Sequence, residues 1–233
     1  NRVLPGYIGM GWFGAVDAYC ERLTPGFGGE PFNMLTGLAF LAVGLFAFRR
    51  APALADRLAA AALGLVGLAS AVQHGFALGV TVRIDLGANL LYLTLLGVLM
   101  LRRLAGAGFT SALVGGVAVV ALTQVVGGSP AVQQALGRAS DTFLLLMLIL
   151  MGTALGLRAR HPATAGRIAL AGAVLAAGLP FRFLDGGLCP SWPLGTHGIW
   201  HLVNAMSAAL LLAALGRHAS LPARALAKDG AGR

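Results

Sequence analysis

At 233 residues, 58% hydrophobic and only 11% charged, the chain has a mean hydropathy of +0.81, which excludes an ordinary soluble domain and implies a membrane protein. A formal charge of +9 would suit a nucleic-acid binder if the basic residues were gathered in one segment. They are instead parcelled between apolar runs, so the excess is a topology signal and calls for no anionic partner beyond lipid head groups.

Hydrocarbon about 30 Å thick takes roughly 20 apolar residues per helical span. Cutting the chain at its charged and Gly/Pro-rich breaks predicts seven spans: 33–49, 58–79, 85–101, 108–126, 142–157, 167–181 and 195–215. Gly115–Gly116 and Leu179–Pro180 blur the ends of the fourth and sixth. The expected fold is therefore all-α and polytopic, one transmembrane domain over residues 1–233. Residues 1–32 form its extracytoplasmic leader segment and 218–233 its basic cytoplasmic tail.

With the amino terminus outside and the carboxyl terminus in the cytoplasm, Arg49, Arg50, Arg57, Arg102, Arg103, Arg158, Arg160, Arg167, Arg217, Arg224, Lys228 and Arg233 fall inside. Arg2, Arg22, Arg83, Arg138 and Arg182 fall outside. The positive-inside rule favours this orientation. Six acidic residues, Asp17, Glu21, Glu30, Asp85, Asp141 and Asp185, share the outer side, leaving Asp56 and Asp229 inside. Acidic residues contribute little to topology, so their sorting points to where the chemistry sits.

Along the chain, the second span carries Ser70 and His74 on one helical face near its outer end. A short outer loop containing Arg83 then leads to Asp85 at the start of the third span, followed about one and two turns on by Asn89 and Tyr92, which are expected to line a substrate channel, with ordinary packing as the other reading of Tyr92. Arg182 and Asp185 flank the end of the sixth span and are expected to pair with each other or to meet a polar lipid head. The last span opens with HGIWH, which puts His197 and His201 at i and i+4 on one face. Asn204, one turn later, is placed to orient His201. His161 and His218, beside arginines, read as surface residues.

Imidazoles are costly in hydrocarbon. His74, His197 and His201 reach the same depth from helices running in opposite directions. A lone buried histidine is ordinarily a hydrogen-bonding residue, but three neutral imidazoles with an open fourth position make a catalytic zinc site. Asp85 is then suited to general-base work on water near the metal, or to N-capping its helix; Ser70 is suited to an oxyanion, or to bonding its own helix.

Ser70, His74, Asp85 and the HxxxH of His197 and His201 together resemble the alkaline ceramidase family, part of a superfamily of seven-helix membrane hydrolases that includes the adiponectin receptors. The segment DAYCERLTPGFGGEPFNMLTGLAF, residues 17–40, resembles the ceramidase amino-terminal motif, so the likeness covers nearly the whole chain. It implies a zinc-dependent hydrolase that takes a lipid amide from the bilayer and releases a sphingoid base and a fatty acid. His74, His197 and His201 would be the zinc ligands, Asp85 the base and Ser70 the oxyanion partner.

The resemblance further implies a calcium site on the acidic segment, here drawn from Asp17, Glu21 and Glu30. The match is incomplete, since Ala18 and Leu23 stand where the family has an aspartate and an asparagine; a solvated acidic loop is the other reading. A disulfide between Cys20 and Cys189 is implied as well, with two unpaired buried thiols as the alternative. Short Ala/Gly-rich loops and arginine-heavy charge place the expected protein in a bacterial inner membrane, its site facing the periplasm, with no obligate protein partner. Three readings compete: a receptor of the adiponectin-receptor type, a transporter, and a hydrolase of another acyl lipid.

Overall fold

In lipid, backbone polar groups have no water to bond, so each apolar run satisfies itself as a helix. The structure, a computed structural model, describes residues 11–22, 26–136 and 142–219. Its helices are α1 Pro31–Arg50, α2 Leu54–Phe76, α3 Gly79–Leu104, α4 Phe109–Gly128, α5 Pro130–Leu136, α6 Thr142–Leu157, α7 Pro162–Phe183, α8 Asp185–Leu188 and α9 His197–Ala219. No strand occurs among the described residues beyond one isolated bridge, Ala15 with Leu78.

Among the described residues six helices, α1, α2, α3, α4, α7 and α9, are long and apolar enough to cross a membrane. The expected span at 142–157 is helical too, as α6, but its 16 residues rise only about 24 Å at ~1.5 Å per residue. Arg2, Arg138, Asp141 and the tail from residue 220 lie outside the described residues.

Each long helix packs on its chain neighbour, α4 touches α6, and α9 returns to α1 and closes the ring. Leu63, Leu96, Leu150, Ile168, Leu175 and Leu215 fill its interior. Phe46, Val114, Leu122, Val125 and Leu155 point outward with more than half their surface exposed. Such a continuous apolar exterior is what lipid, not water, tolerates. Glycine sets how closely α1 and α2 approach: a Cβ on Gly44 would lie 2.5 Å from the Gly64 nitrogen, and one on Gly67 would strike the backbone of Leu41.

The two ends of the bundle differ in chemistry. At one end Asp56 of α2 takes both prongs of Arg103 of α3 at 2.6 Å. Beside α7, His218 has its Nδ1 3.0 Å from Thr164 Oγ1 and its ring 5.0 Å from that of His161. The expectation that His218 lies on the surface is corrected here. It is buried, because α9 runs on to Ala219 and packs against the first turn of α7.

The opposite end corrects the connection between the second and third spans. α2 stops at Phe76, Ala77 turns with φ 45°, and α3 begins at once at Gly79. Leu78 offers no side-chain cap, but its N–H donates to Thr81 Oγ1 at 3.0 Å. Arg83 and Asp85 therefore stand inside α3 instead of in a loop and at a helix start, and Asp85 is not an N-cap. Residues 12–16 run alongside this turn: Val16 N–H donates to Ala77 O, Gly79 N–H to Gly14 O and Val80 N–H to Trp12 O, at 2.7–3.0 Å.

Candidate metal centre

α2 and α9 bring three imidazoles together at this end. Ring centroids are 5.3 Å apart for His74 and His197, 4.9 Å for His74 and His201 and 4.5 Å for His197 and His201. One nitrogen from each lies within 4.8 Å of the others, and all three residues are buried. Among the described residues, no other set of His, Cys, Asp and Glu gathers this way.

The bonds behind the rings fix which nitrogen faces inward. His74 Nδ1 lies 2.6 Å from Oε2 of Glu30, a carboxylate with no exposed surface. A carboxylate only accepts, so Nδ1 carries the proton and Nε2 keeps its lone pair for the centre. His201 Nδ1 is 3.2 Å from Thr36 Oγ1, whose hydroxyl proton goes to Phe32 O at 2.8 Å. The threonine oxygen is thus the acceptor, and His201 Nε2 is left free in the same way. His197 differs: its Nδ1 is buried without a partner among the described residues, and its ring stacks on Tyr19 at 3.9 Å. A buried nitrogen left unbonded costs about 1–3 kcal/mol. The donor set, three buried imidazoles each with a nitrogen within 4.8 Å of the others, fits a divalent ion.

Asp185 sets where α9 starts. Its carboxylate accepts from the N–H groups of Thr196 at 2.7 Å, His197 at 3.0 Å and Cys20 at 3.1 Å. Negative charge at a helix N-terminus is favourable. Gly195, at φ 67°, permits the approach, since a Cβ there would strike Asp185 Oδ1. The disulfide Cys20–Cys189 fastens the leader segment to the same corner. Asp185 thus does not pair with Arg182, whose guanidinium lies over Phe143 and Trp200, 5.4 and 5.7 Å from their ring centroids.

The histidines open onto a cavity of about 320 Å³ whose wall includes Ser70, Asp85, Asn89, Arg182 and Asn204. Ser70 is pressed against α1, where a Cβ on Gly37 would come 2.7 Å from its Oγ. Asn89 Nδ2 donates to Asp85 O at 2.9 Å and to Asp85 Oδ1 at 3.3 Å, so it steadies the carboxylate. The Arg182 guanidinium is a positively charged neighbour of that carboxylate. Asn204 lines the cavity, and the bond that orients His201 comes from Thr36 instead. Tyr92 is not on this wall: it lines a smaller void of about 20 Å³ beneath, its hydroxyl buried without a partner among the described residues.

Asp17, Glu21 and Glu30 are not gathered into one carboxylate cluster. Asp17 is exposed. Glu21 accepts from the N–H groups of Phe32 and Asn33 and so caps α1. Glu30 is engaged by His74 and by Arg22, whose Nε donates to Oε1 at 2.7 Å. Sequence reasoning missed Tyr19, Arg22 and Thr36. A signal existed for the last: Glu30, Asn33 and Thr36 recur every third residue at the start of an otherwise apolar helix, marking one polar face.

Compared with known proteins, the chain matches no family model and no curated sequence, so its chemistry is argued from this arrangement of side chains.

Proposed function

We propose that this chain is a zinc-dependent intramembrane amide hydrolase that cleaves ceramide or a similar lipid amide to an amine and a free fatty acid. The observation that carries the reading is the meeting of three inward-facing imidazoles with Asp85 and Ser70 on one cavity wall. Three histidines with room for a further ligand suit zinc, and a bound zinc ion supplies Lewis acidity toward a carbonyl oxygen and toward water.

The chain's own residues divide the remaining work. Asp85, steadied by Asn89, takes a proton from the water that adds to the amide carbon. Ser70 Oγ–H donates to the carbonyl oxygen as negative charge builds on it. When the C–N bond breaks, Asp85 returns the proton to the departing nitrogen, so the products are a carboxylic acid and an amine. Arg182, on the cavity wall, places a positive charge where a polar head would lie.

In this reading α6 completes seven spans, with the amino terminus outside and the carboxyl terminus in the cytoplasm. Twelve of the 17 basic residues then lie inside. The disulfide and the histidines sit at the periplasmic end of a bacterial inner membrane, at the depth where the scissile bond of a two-chain lipid lies. That depth gives a reason to build a polar site inside hydrocarbon.

The test is to purify the chain in detergent, measure bound metal, and assay fatty-acid release from ceramide. Wild type is expected to hold about one zinc and to release fatty acid. His197→Ala should lose both, and Asp85→Ala should lose release while keeping zinc. Stoichiometric zinc without release from any lipid amide would turn the reading to a receptor or sensor; absence of zinc would remove the mechanism.

A further inference from the structure

Arg22 is a buried arginine in the leader segment, 8% exposed, and it lies behind the metal centre, meeting His74 at its main-chain carbonyl and not at its ring. Its Nε donates to Glu30 Oε1 at 2.7 Å, one terminal nitrogen reaches Gly26 O at 3.4 Å, and the other reaches His74 O at 3.3 Å. One carboxylate and two main-chain carbonyls thus converge on a single fixed positive charge. His74 O belongs to the last turn of α2, where the helix dipole favours a cation. The other oxygen of Glu30 holds His74 Nδ1 at 2.6 Å.

We infer that Arg22 is a positioning residue for the metal centre, an internal cation that fixes Glu30 and thereby the ring of His74, and that this segment needs no calcium. The argument is one of occupancy and charge. A divalent cation tying this segment would need six or more oxygens. Among the described residues, two of the three acidic side chains are committed, Glu21 to two N–H groups of α1 and Glu30 to His74, Arg22 and Asn33, and the third, Asp17, is exposed and not gathered with them. The guanidinium takes the charge-balancing place itself, and its fork fits a carboxylate on one edge and carbonyls on the other. It joins three pieces of chain: the leader segment, the start of α1 and the end of α2. Without it, Glu30 would be a buried carboxylate with its charge uncompensated, held only through Oε2 by His74 and, at 3.4 Å, by Asn33 Nδ2.

The inference rests on the metal reading of the three histidines, and its test reads metal binding, not turnover. Zinc affinity is measured by competition with a chromophoric chelator for wild type, Arg22→Ala and Arg22→Lys, and calcium binding to wild type by equilibrium dialysis. Arg22→Ala is expected to weaken zinc binding about 10- to 100-fold, the usual effect of losing a partner behind a ligand, and Arg22→Lys, which restores the charge but not the fork, to recover part of it. Cobalt bound to Arg22→Ala should show an altered visible spectrum. Wild type should take up no stoichiometric calcium up to about 1 mM, the weak end of known extracellular sites.

Equal zinc affinity in wild type and Arg22→Ala would overturn the positioning role. One calcium per chain, with a raised Tm, would overturn the substitution even if the alanine variant does not fold. Wild type that binds no zinc would instead overturn the metal reading itself.

Discussion

The ring of Tyr19 lies flat on that of His197, centroids 3.9 Å apart and planes inclined by 27°. The contact is possible because the neighbouring residue, Cys20, is bonded to Cys189 across 169 residues of sequence. The leader segment is therefore a strap across the mouth of the histidine cluster. Its pairing with the α2–α3 turn holds it from the other side.

That arrangement predicts two graded effects. Replacing both Cys20 and Cys189 by Ser should cost about 2–4 kcal/mol of stability and speed zinc release, because Tyr19 is no longer pinned. Tyr19→Ala should remove about 0.5–1.5 kcal/mol of ring stacking and also speed release, while Tyr19→Phe, which keeps the stacked ring, should release zinc more slowly than the alanine variant. Thermal unfolding in detergent and stopped-flow metal transfer to a chelator measure the two quantities. Release as slow from the double serine variant as from wild type would contradict the strap.

Thr36 and Gly198 make a second prediction, at the contact of α1 and α9. Thr36→Val keeps the shape but leaves His201 Nδ1–H without its acceptor, so zinc affinity should fall about tenfold, and Thr36→Ser should restore it. Gly198→Ala acts by volume: the added Cβ would lie 3.0 Å from Thr36 Oγ1 and would strike the edge of the Phe32 ring. Overpacking of this kind costs about 1–3 kcal/mol. The valine variant should thus lose affinity with little change in Tm, and the alanine variant should lose Tm. The reverse pattern would show that the hydrogen bond does not orient the ring.

Asp185 supports a third. Its carboxylate serves three N–H groups, two of them at the start of α9 and one on Cys20. Asp185→Ala should cost about 2 kcal/mol or more, since both a cap and buried bonds are lost. Asp185→Asn retains an acceptor and should recover at least half. The accompanying readout is zinc content after dialysis, which should follow stability because the same capping places His197. Full zinc content in a destabilised alanine variant would separate Asp185 from the site.

What the sequence revealed and what it hid divide along a physical line. His197 and His201 were legible because helix geometry alone puts i and i+4 on one face, and His74 because an imidazole in an apolar run needs an explanation. The start of α3 was not, because its cap is supplied by Thr81 three residues inside the helix and Leu78 carries no capping group. Glu30 enters the sequence reading only through the family resemblance, as one of three residues implied for a calcium site. Its partner His74 is 44 residues away, and no local pattern encodes that. His218 read as exposed because arginine precedes it, yet Thr164, 54 residues earlier, receives it. Periodicity reports which face a residue occupies, whereas the partner on that face depends on how helices distant in sequence are laid side by side.

Tyr92 gives the last prediction, and it tests the cavity from below. Its hydroxyl is buried with no partner among the described residues and lines the small void under the main cavity, where Asn89, Asn204 and Ser207 also stand. A polar group in that position is carried at a cost of about 1–3 kcal/mol. Tyr92→Phe removes the hydroxyl and leaves the ring packing unchanged, so Tm should stay level or rise. If the hydroxyl instead meets the substrate, the phenylalanine variant will raise KM for the lipid amide while Tm holds. A fall in Tm would mean that the void holds a water molecule that Tyr92 helps to bind, and the orphaned-hydroxyl reading would be abandoned.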